Sequence, residues 1–301
     1  MMRTKLSIAL LGATSHIAKN LIVRFGADVE LFLFCRNEAR MNEFLAQEKP
    51  VATCHSLGYD VFQTGKYDVV INCVGVGDPR KQKIDPYESF VVTERFDNLA
   101  LDYAKKHPAV RYINFSSGAV FGADFDSPVD ENSLAVFKPN DLQVSDAYRI
   151  AKLNAEAKHR CLSYLQLVDI RVFSFFSRFI DLDAGFLMSE IARCVIGKTP
   201  LRTNSVDIVR DYISPDDLFN LVFCIIENSS VLNLAIDARS KMPVKKTELI
   251  QTISDVYGLE VEIQNVRFDT VSGAKNEYYS KNNKAFDLIG TIPEYTSLEC
   301  V

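Results

Sequence analysis

Apolar and polar positions along the chain change their period several times. Leu6 to Leu11 is a short, nearly continuous apolar run, a helical stretch closes over Asn20 to Gly26, and Val29 to Cys35 (VELFLFC) is again almost unbroken. Runs of this length fit strands buried on both faces, so the order reads strand, helix, strand. The alternation continues through a charged helical stretch at 37–49, an apolar run at 68–74 (DVVINCV), a helix near 88–106 and a run at 110–115. A helix over about 146–165 and a strand at 167–175 (LVDIRVFSF) follow. This rhythm predicts an α/β fold with a doubly wound parallel sheet and helical crossovers.

Beyond Phe175 the rhythm changes to α+β. A helix is expected from Ala184 to Ile196, with Gly197 and Pro200 as breakers, then a strand near Asp207 to Ile213 and a helix after Ser214. A strand at Val231 to Ile236, a helix at Lys246 to Tyr257 and an alternating strand at Glu260 to Arg267 complete the reading. The expected division is a larger unit of 1–175 plus about 207–237, and a smaller, discontinuous lobe of about 176–206 plus 238–301.

Composition narrows the function classes. Of 301 residues, 48% are hydrophobic and 24% charged, enough apolar material for a core. The net charge of −5 comes without long like-charge blocks, which argues against a nucleic-acid or anionic-membrane partner. The seven cysteines form no CxxC pair, and Cys35 and Cys73 sit inside apolar runs, as in a reducing cytoplasm. The apolar stretch before Gly12 is too short for a signal peptide or a membrane span. A cytoplasmic location is expected. His16, His55, His107 and His159 lack metal-ligand spacing, so no metal is expected.

Gly12-Ala13-Thr14-Ser15-His16-Ile17-Ala18 follows the first strand and opens the first helix. There the free backbone N–H groups and the helix dipole attract a pyrophosphate. Gly12 supplies the tight turn, while Ser15 and Ala18 occupy the second and third glycine positions of the usual pattern. Taken alone, an ordinary strand-to-helix turn explains the loop equally well. Arg36 closes the second strand where a carboxylate would grip the ribose of NAD; a guanidinium suits a 2′-phosphate, so NADP is expected, with NAD as the alternative. The plainer reading is a solvated arginine at a strand end.

Tyr148 and Lys152, four residues apart, share one helix face, and Ser116-Ser117 stand upstream at a strand end. A phenol that exchanges a proton near neutral pH needs its usual pKa of about 10 lowered, and a neighbouring ammonium favours the phenolate. A serine hydroxyl can then bond the same substrate oxygen. Any helix can carry a tyrosine with its lysine. What sets this pair apart is the order of glycine loop, strand-end serine and tyrosine–lysine helix in one α/β frame.

With these residues the sequence resembles the extended short-chain dehydrogenase/reductase family, the NAD(P)-dependent nucleotide-sugar epimerases, dehydratases and reductases, over nearly the whole chain. LGATSHIA is similar to that family's cofactor loop, DVVINCVG to its fourth strand, INFSSGAVFG to its serine-bearing strand, and RDYISPDDL (Arg210 to Leu218) to a late motif whose arginine contacts the substrate diphosphate. The resemblance implies a Rossmann domain with a substrate lobe, and Ser117, Tyr148 and Lys152 as the catalytic residues. It places Gly12, Thr14, Ser15, His16, Ile17, Arg36, Cys73, Val74, Gly75 and Lys152 at the cofactor. Ser117 and Arg210, with Arg178 as a weaker candidate, face the substrate. Ser116 is then a packing residue, and a homodimer through the fourth and fifth helices is expected.

The chain departs from the family pattern at Ser15, Ala18, Phe121 and Ser214, and Val92 or Thr93 stands near the place of a structural asparagine. Gly118-Ala119 replaces the Asp-Glu pair of 4,6-dehydratases and offers no cysteine for 3,5-epimerisation, so both routes are disfavoured. The expected reaction is NADPH-dependent reduction of a nucleotide-linked 4-keto-6-deoxyhexose in surface-glycan precursor synthesis. The alternatives are a nucleotide-sugar 4-epimerase with retained cofactor and a non-catalytic NADP-binding sensor.

Overall fold

The computed structural model describes residues 5–122, 125–264 and 275–301. In chain order its strands begin with β1 (Leu6–Leu11), β2 (Val29–Phe34), β3 (Thr53–Leu57), β4 (Val69–Asn72), β5 (Arg111–Ser117) and β6 (Gln166–Val172). Short strands follow: β7 (Ser174–Phe175), β8 (Leu201–Thr203), β9 (Val209–Arg210) and β10 (Tyr212–Ile213). The last are β11 (Asn233–Ala238), β12 (Val244–Lys245), β13 (Val261–Ile263) and β14 (Glu277–Tyr278). The helices are α1 (His16–Ile22), α2 (Glu38–Glu48), α3 (Pro79–Ile84), α4 (Glu88–Lys106) and α5 (Ala147–Cys161), then α6 (Leu187–Gly197), α7 (Pro215–Glu227), α8 (Lys246–Tyr257) and α9 (Lys284–Ile289).

Seven strands form one sheet in the order β11-β6-β5-β4-β1-β2-β3, with every pair parallel. The strand order reverses between β1 and β4. In a doubly wound sheet the crevice beyond the carboxyl ends of such strands is where ligands bind. One face of the sheet packs Ile8, Leu10, Leu31, Ile113 and Ile170 against Leu218, Leu221 and Ile225 of α7. The other packs Leu11, Val70, Tyr112 and Leu167 against Ala100, Leu101 and Ala104 of α4. A separate apolar cluster joins α6 to α8 through Met188, Ile191, Leu249, Ile250 and Ile253.

The doubly wound sheet matches the expectation from the apolar pattern, and three details differ. β3 (TCHSL) was not foreseen: it is an edge strand without a single fully buried residue, so it carries no apolar run. The strand expected over 207–213 is broken at Asp211, with β9 joining β12 and β14, and β10 joining β7. The buried Asp211 carboxylate turns away there to accept the Ser240 N–H at 2.8 Å. Of the strand expected at 260–267, β13 holds three residues, and its last part, 265–267, lies outside the described residues. Among the described residues no helix is long and apolar enough to cross a membrane, and no group of three His, Cys, Asp or Glu side chains is placed to hold a metal.

Candidate active site

β1 ends in the turn that was expected to hold a pyrophosphate. Gly12 adopts φ +74, and a Cβ on it would stand 2.9 Å from Val74 Cγ2 and 3.0 Å from the Cys73 carbonyl carbon. Only glycine fits there, because both the left-handed backbone and the tip of β4 exclude a side chain. The Gly12 N–H reaches the Phe34 carbonyl and also the Tyr59 hydroxyl, each at 3.0 Å. Ser15 caps α1, its hydroxyl accepting the Ala18 N–H at 3.3 Å. The Cys73 thiol lies beside that hydroxyl, and burial raises its pKa. His16 is turned to the strand-end loop after β6, its Nε2 2.7 Å from Ser177 Oγ and its ring 4.8 Å from that of Phe175. Burial, reinforced by Lys19, lowers its pKa to about 4 and keeps it neutral.

The catalytic candidates come together at the neighbouring strand ends. Lys152 is buried, and its Nζ donates to the Phe115 carbonyl of β5 at 2.8 Å. A Cβ on Gly75 would lie 3.3 Å from that Nζ, so the bare backbone after β4 lets the chain pass close to the ammonium. Ser117, at the tip of β5, accepts the Ala119 N–H at 3.2 Å. Tyr148 faces the same hydroxyl: burial raises its pKa, and Ser117 acts against that rise. The lowering expected for a working base is therefore not present in the protein alone, and burial also lowers the pKa of Lys152. Ser116, by contrast, is tied to Glu156 Oε1 at 2.5 Å, consistent with a packing role.

The sequence reading missed a third partner of Ser117. The Tyr278 hydroxyl from β14 lies 3.4 Å from Ser117 Oγ, with its ring boxed by Phe125 and Phe173 at centroid distances of 4.7 and 5.1 Å. Phe173 also explains Gly118, where a Cβ would stand 2.4 Å from Cε1 of that ring. Neither Gly118 nor the buried Ala119 brings an acid or base next to Ser117. Lys275 rests its Nζ 4.1 Å above the Tyr278 ring, and burial together with Arg210 and Arg149 pushes its pKa down to about 7. No signal in the residues marked this C-terminal segment, since its partners lie far away in sequence.

The substrate candidates part company. Arg210 donates to the Val209 and Lys275 carbonyls at 2.8 Å each, and its guanidinium lies 5.8 Å from the Tyr278 ring centre, beside the site. Arg178 instead pairs with Glu48 of α2 and lies over Phe179. Arg36 is exposed past the end of β2, where Asn37 caps α2 by accepting the Arg40 N–H at 3.0 Å. Lys19 feels Arg40 as a neighbouring charge. Thr93 turns its buried hydroxyl inward, and among the described residues that oxygen has no partner. The glycine cradle and the buried ammonium beyond β1 and β4 thus fit a nicotinamide dinucleotide.

A family model described as the NAD dependent epimerase/dehydratase family matches residues 8–235. A search of the curated proteins finds no match. Among solved structures, the chain is similar to the UDP-glucuronic acid 4-epimerase of Bacillus cereus, at 15% identity over 98% of this chain and 97% of that one, with a TM-score of 0.78. It is also similar to the UDP-N-acetylglucosamine 4-epimerase of Methanobrevibacter ruminantium M1, at 15% identity over 97% and 94% of the two chains and a TM-score of 0.80. The UDP-glucose 4-epimerase of Thermotoga maritima aligns at 14% identity over 98% and 96%, with a TM-score of 0.79. At such identities the likeness is one of fold.

Proposed function

The chain belongs to the NAD dependent epimerase/dehydratase family, as an NAD(P)-dependent enzyme of the extended short-chain dehydrogenase type, and from that premise we propose that it inverts C4 of a nucleotide-linked hexose. The observation that carries the reading is the meeting of Tyr148, Ser117 and the buried Lys152 at the tips of β4 and β5. When bound, a nicotinamide dinucleotide supplies the acceptance and return of hydride at C4. Tyr148 takes the C4 hydroxyl proton as a phenolate and returns it to the opposite epimer. Ser117 holds the same oxygen, and the ammonium of Lys152, one helical turn along α5, favours the phenolate. Arg210 is suited to the diphosphate. Tyr278, Phe125 and Phe173 wall the serine from solvent, which favours retention of a keto sugar until hydride returns.

Net reduction of a 4-keto sugar with NADPH is the second reading. It is favoured by Arg36, exposed past the end of β2, a guanidinium suited to a 2′-phosphate. Surface-glycan precursors, a homodimer and a cytoplasmic setting belong to the same reading of the chain. The test incubates the purified protein with UDP- and dTDP-hexoses and each cofactor, following C4 epimers by NMR and reduced nicotinamide by absorbance. Epimers formed without net cofactor consumption are expected, and Tyr148→Phe should slow them by roughly a hundredfold or more. Stoichiometric NADPH oxidation with a 4-keto sugar, and no epimers, would establish the second reading instead.

A further inference from the structure

Ser117 has more claims on its hydroxyl than a single substrate oxygen. A serine oxygen carries one hydrogen and two lone pairs. The Ala119 N–H takes one lone pair at 3.2 Å, and two phenols share what is left: Tyr148 of α5, and Tyr278 of β14, whose oxygen lies 3.4 Å from Ser117 Oγ. With one hydrogen and one lone pair remaining, one phenol must donate to the serine while the other accepts from it. Contacts of this length at catalytic groups tighten when substrate assembles with them.

The surroundings decide which phenol does which. Tyr278 is buried, its ring held between Phe125 and Phe173 and covered by Lys275, whereas Tyr148 is half-buried. The Ala119 N–H bears on the Tyr278 oxygen as well, so that oxygen already has a donor, and among the described residues Ser117 is the one side-chain partner of its hydroxyl. A buried hydroxyl hydrogen left without an acceptor is unfavourable, so this one points at the serine. Burial, with the charge that forms on Tyr148 added to it, holds the Tyr278 phenol well above its ordinary range, and it keeps its hydrogen throughout. Both lone pairs of Ser117 are then filled, and its own hydrogen is left for Tyr148 and the substrate oxygen.

We propose that Tyr278 is a positioning residue for the C4 chemistry: its O–H donates to Ser117 and so fixes the serine as a donor towards the Tyr148 phenolate and the carbonyl oxygen that forms at C4. Without that bond the serine hydroxyl can turn and accept from Tyr148, which favours the neutral phenol. This rests on the assignment of Ser117 and Tyr148 to catalysis, but its test does not need turnover. Tyr278→Phe removes the hydroxyl and leaves the ring, with Lys275, Arg210 and Arg149 around it, in place. The ionisation of Tyr148 is followed by NMR in protein carrying tyrosine labelled with 13C at Cζ and saturated with NAD, whose pyridinium favours the phenolate, the resonance being assigned with Tyr148→Phe. Tyr278→Phe is expected to raise the Tyr148 midpoint by roughly half to one pH unit. Ser117→Ala is expected to raise it too, and adding Tyr278→Phe to Ser117→Ala should change nothing further, because the effect runs through the serine. Mere loosening would act the other way: burial holds the Tyr148 phenol up, so opening the site would lower its midpoint towards about 10. An unchanged or lowered midpoint in Tyr278→Phe, or a rise of the same size in the absence of the Ser117 hydroxyl, would overturn the proposal. A rise that vanishes with Ser117→Ala, in a protein that neither epimerises nor reduces at C4, would leave it standing and count against the catalytic reading alone.

Discussion

Replacing Asp211 by asparagine should make the protein less sensitive to pH, with a magnitude set by burial. The carboxylate lies between β9 and β10, 1% exposed, and accepts the Ser240 N–H at 2.8 Å and the Ser297 hydroxyl at 3.3 Å. Burial outweighs these bonds and pushes its pKa up from 3.8 to about 6. The folded protein therefore holds the Asp211 proton more tightly than the unfolded chain does. Its contribution to stability is present below the unfolded value and is lost as pH rises through about 6. A rise of about two pH units corresponds to about 3 kcal/mol at 1.36 kcal/mol per unit. Asparagine keeps an acceptor for Ser240 and never ionises. Urea unfolding of both proteins between about pH 4 and about pH 7 should show the variant gaining up to about 3 kcal/mol on the parent across that window. A constant difference across the window would refute the argument, because it would mean that the carboxylate is solvated in the native state.

His159 has the same sign in a different window: with its pKa raised to about 9, its contribution is complete below 6.5 and lost as pH climbs through about 9. The loss amounts to about 3 kcal/mol, and His159→Gln should flatten the alkaline limb of the unfolding curve. Gly118→Ala places a Cβ against Phe173, so calorimetry should show about 1–3 kcal/mol of destabilisation and turnover should fall with the displaced ring. Gly12→Ala strains a left-handed turn against the tip of β4 and should weaken dinucleotide affinity in a fluorescence titration more than it lowers Tm. Arg178→Ala should change stability by less than about 1 kcal/mol and leave turnover intact, because its ion pair with Glu48 is solvent-screened.

What the sequence made legible was local. The central strands announce themselves because parallel strands covered on both faces need continuous apolar runs, and Tyr148 with Lys152 because four residues are one helical turn. β3 was invisible because an edge strand has one neighbour and half-exposed side chains, so TCHSL reads as a loop. The break at Asp211 was invisible for another reason. A charged pair inside an apolar stretch suggests one strand facing a cleft, whereas the chain uses the buried carboxylate as a corner and sends its two halves to different sheets. Arg178 looked like a cleft residue by its place after β6, but the loop carries it outward to α2.

The parts of the site that escaped notice share one property: their partners are joined only by the fold. Tyr278 meets Ser117 across 161 positions, and Asp97 meets His159 across 62. No period in a sequence encodes such a meeting, because each residue alone has a commoner explanation as a surface carboxylate, a packed ring or a solvated histidine. The sheet register makes the difference. Once Asn72, Asn114 and Asp169 stand on one rung, the helices that cover that rung must supply donors and charges or leave buried acceptors unmet, a penalty of about 1–3 kcal/mol each. α4 and α5 answer with Asp97 and His159 at inward positions, so the polar rung and the buried histidine are consequences of one packing constraint. A homologous chain with apolar residues at all three rung positions should therefore also lack the buried histidine.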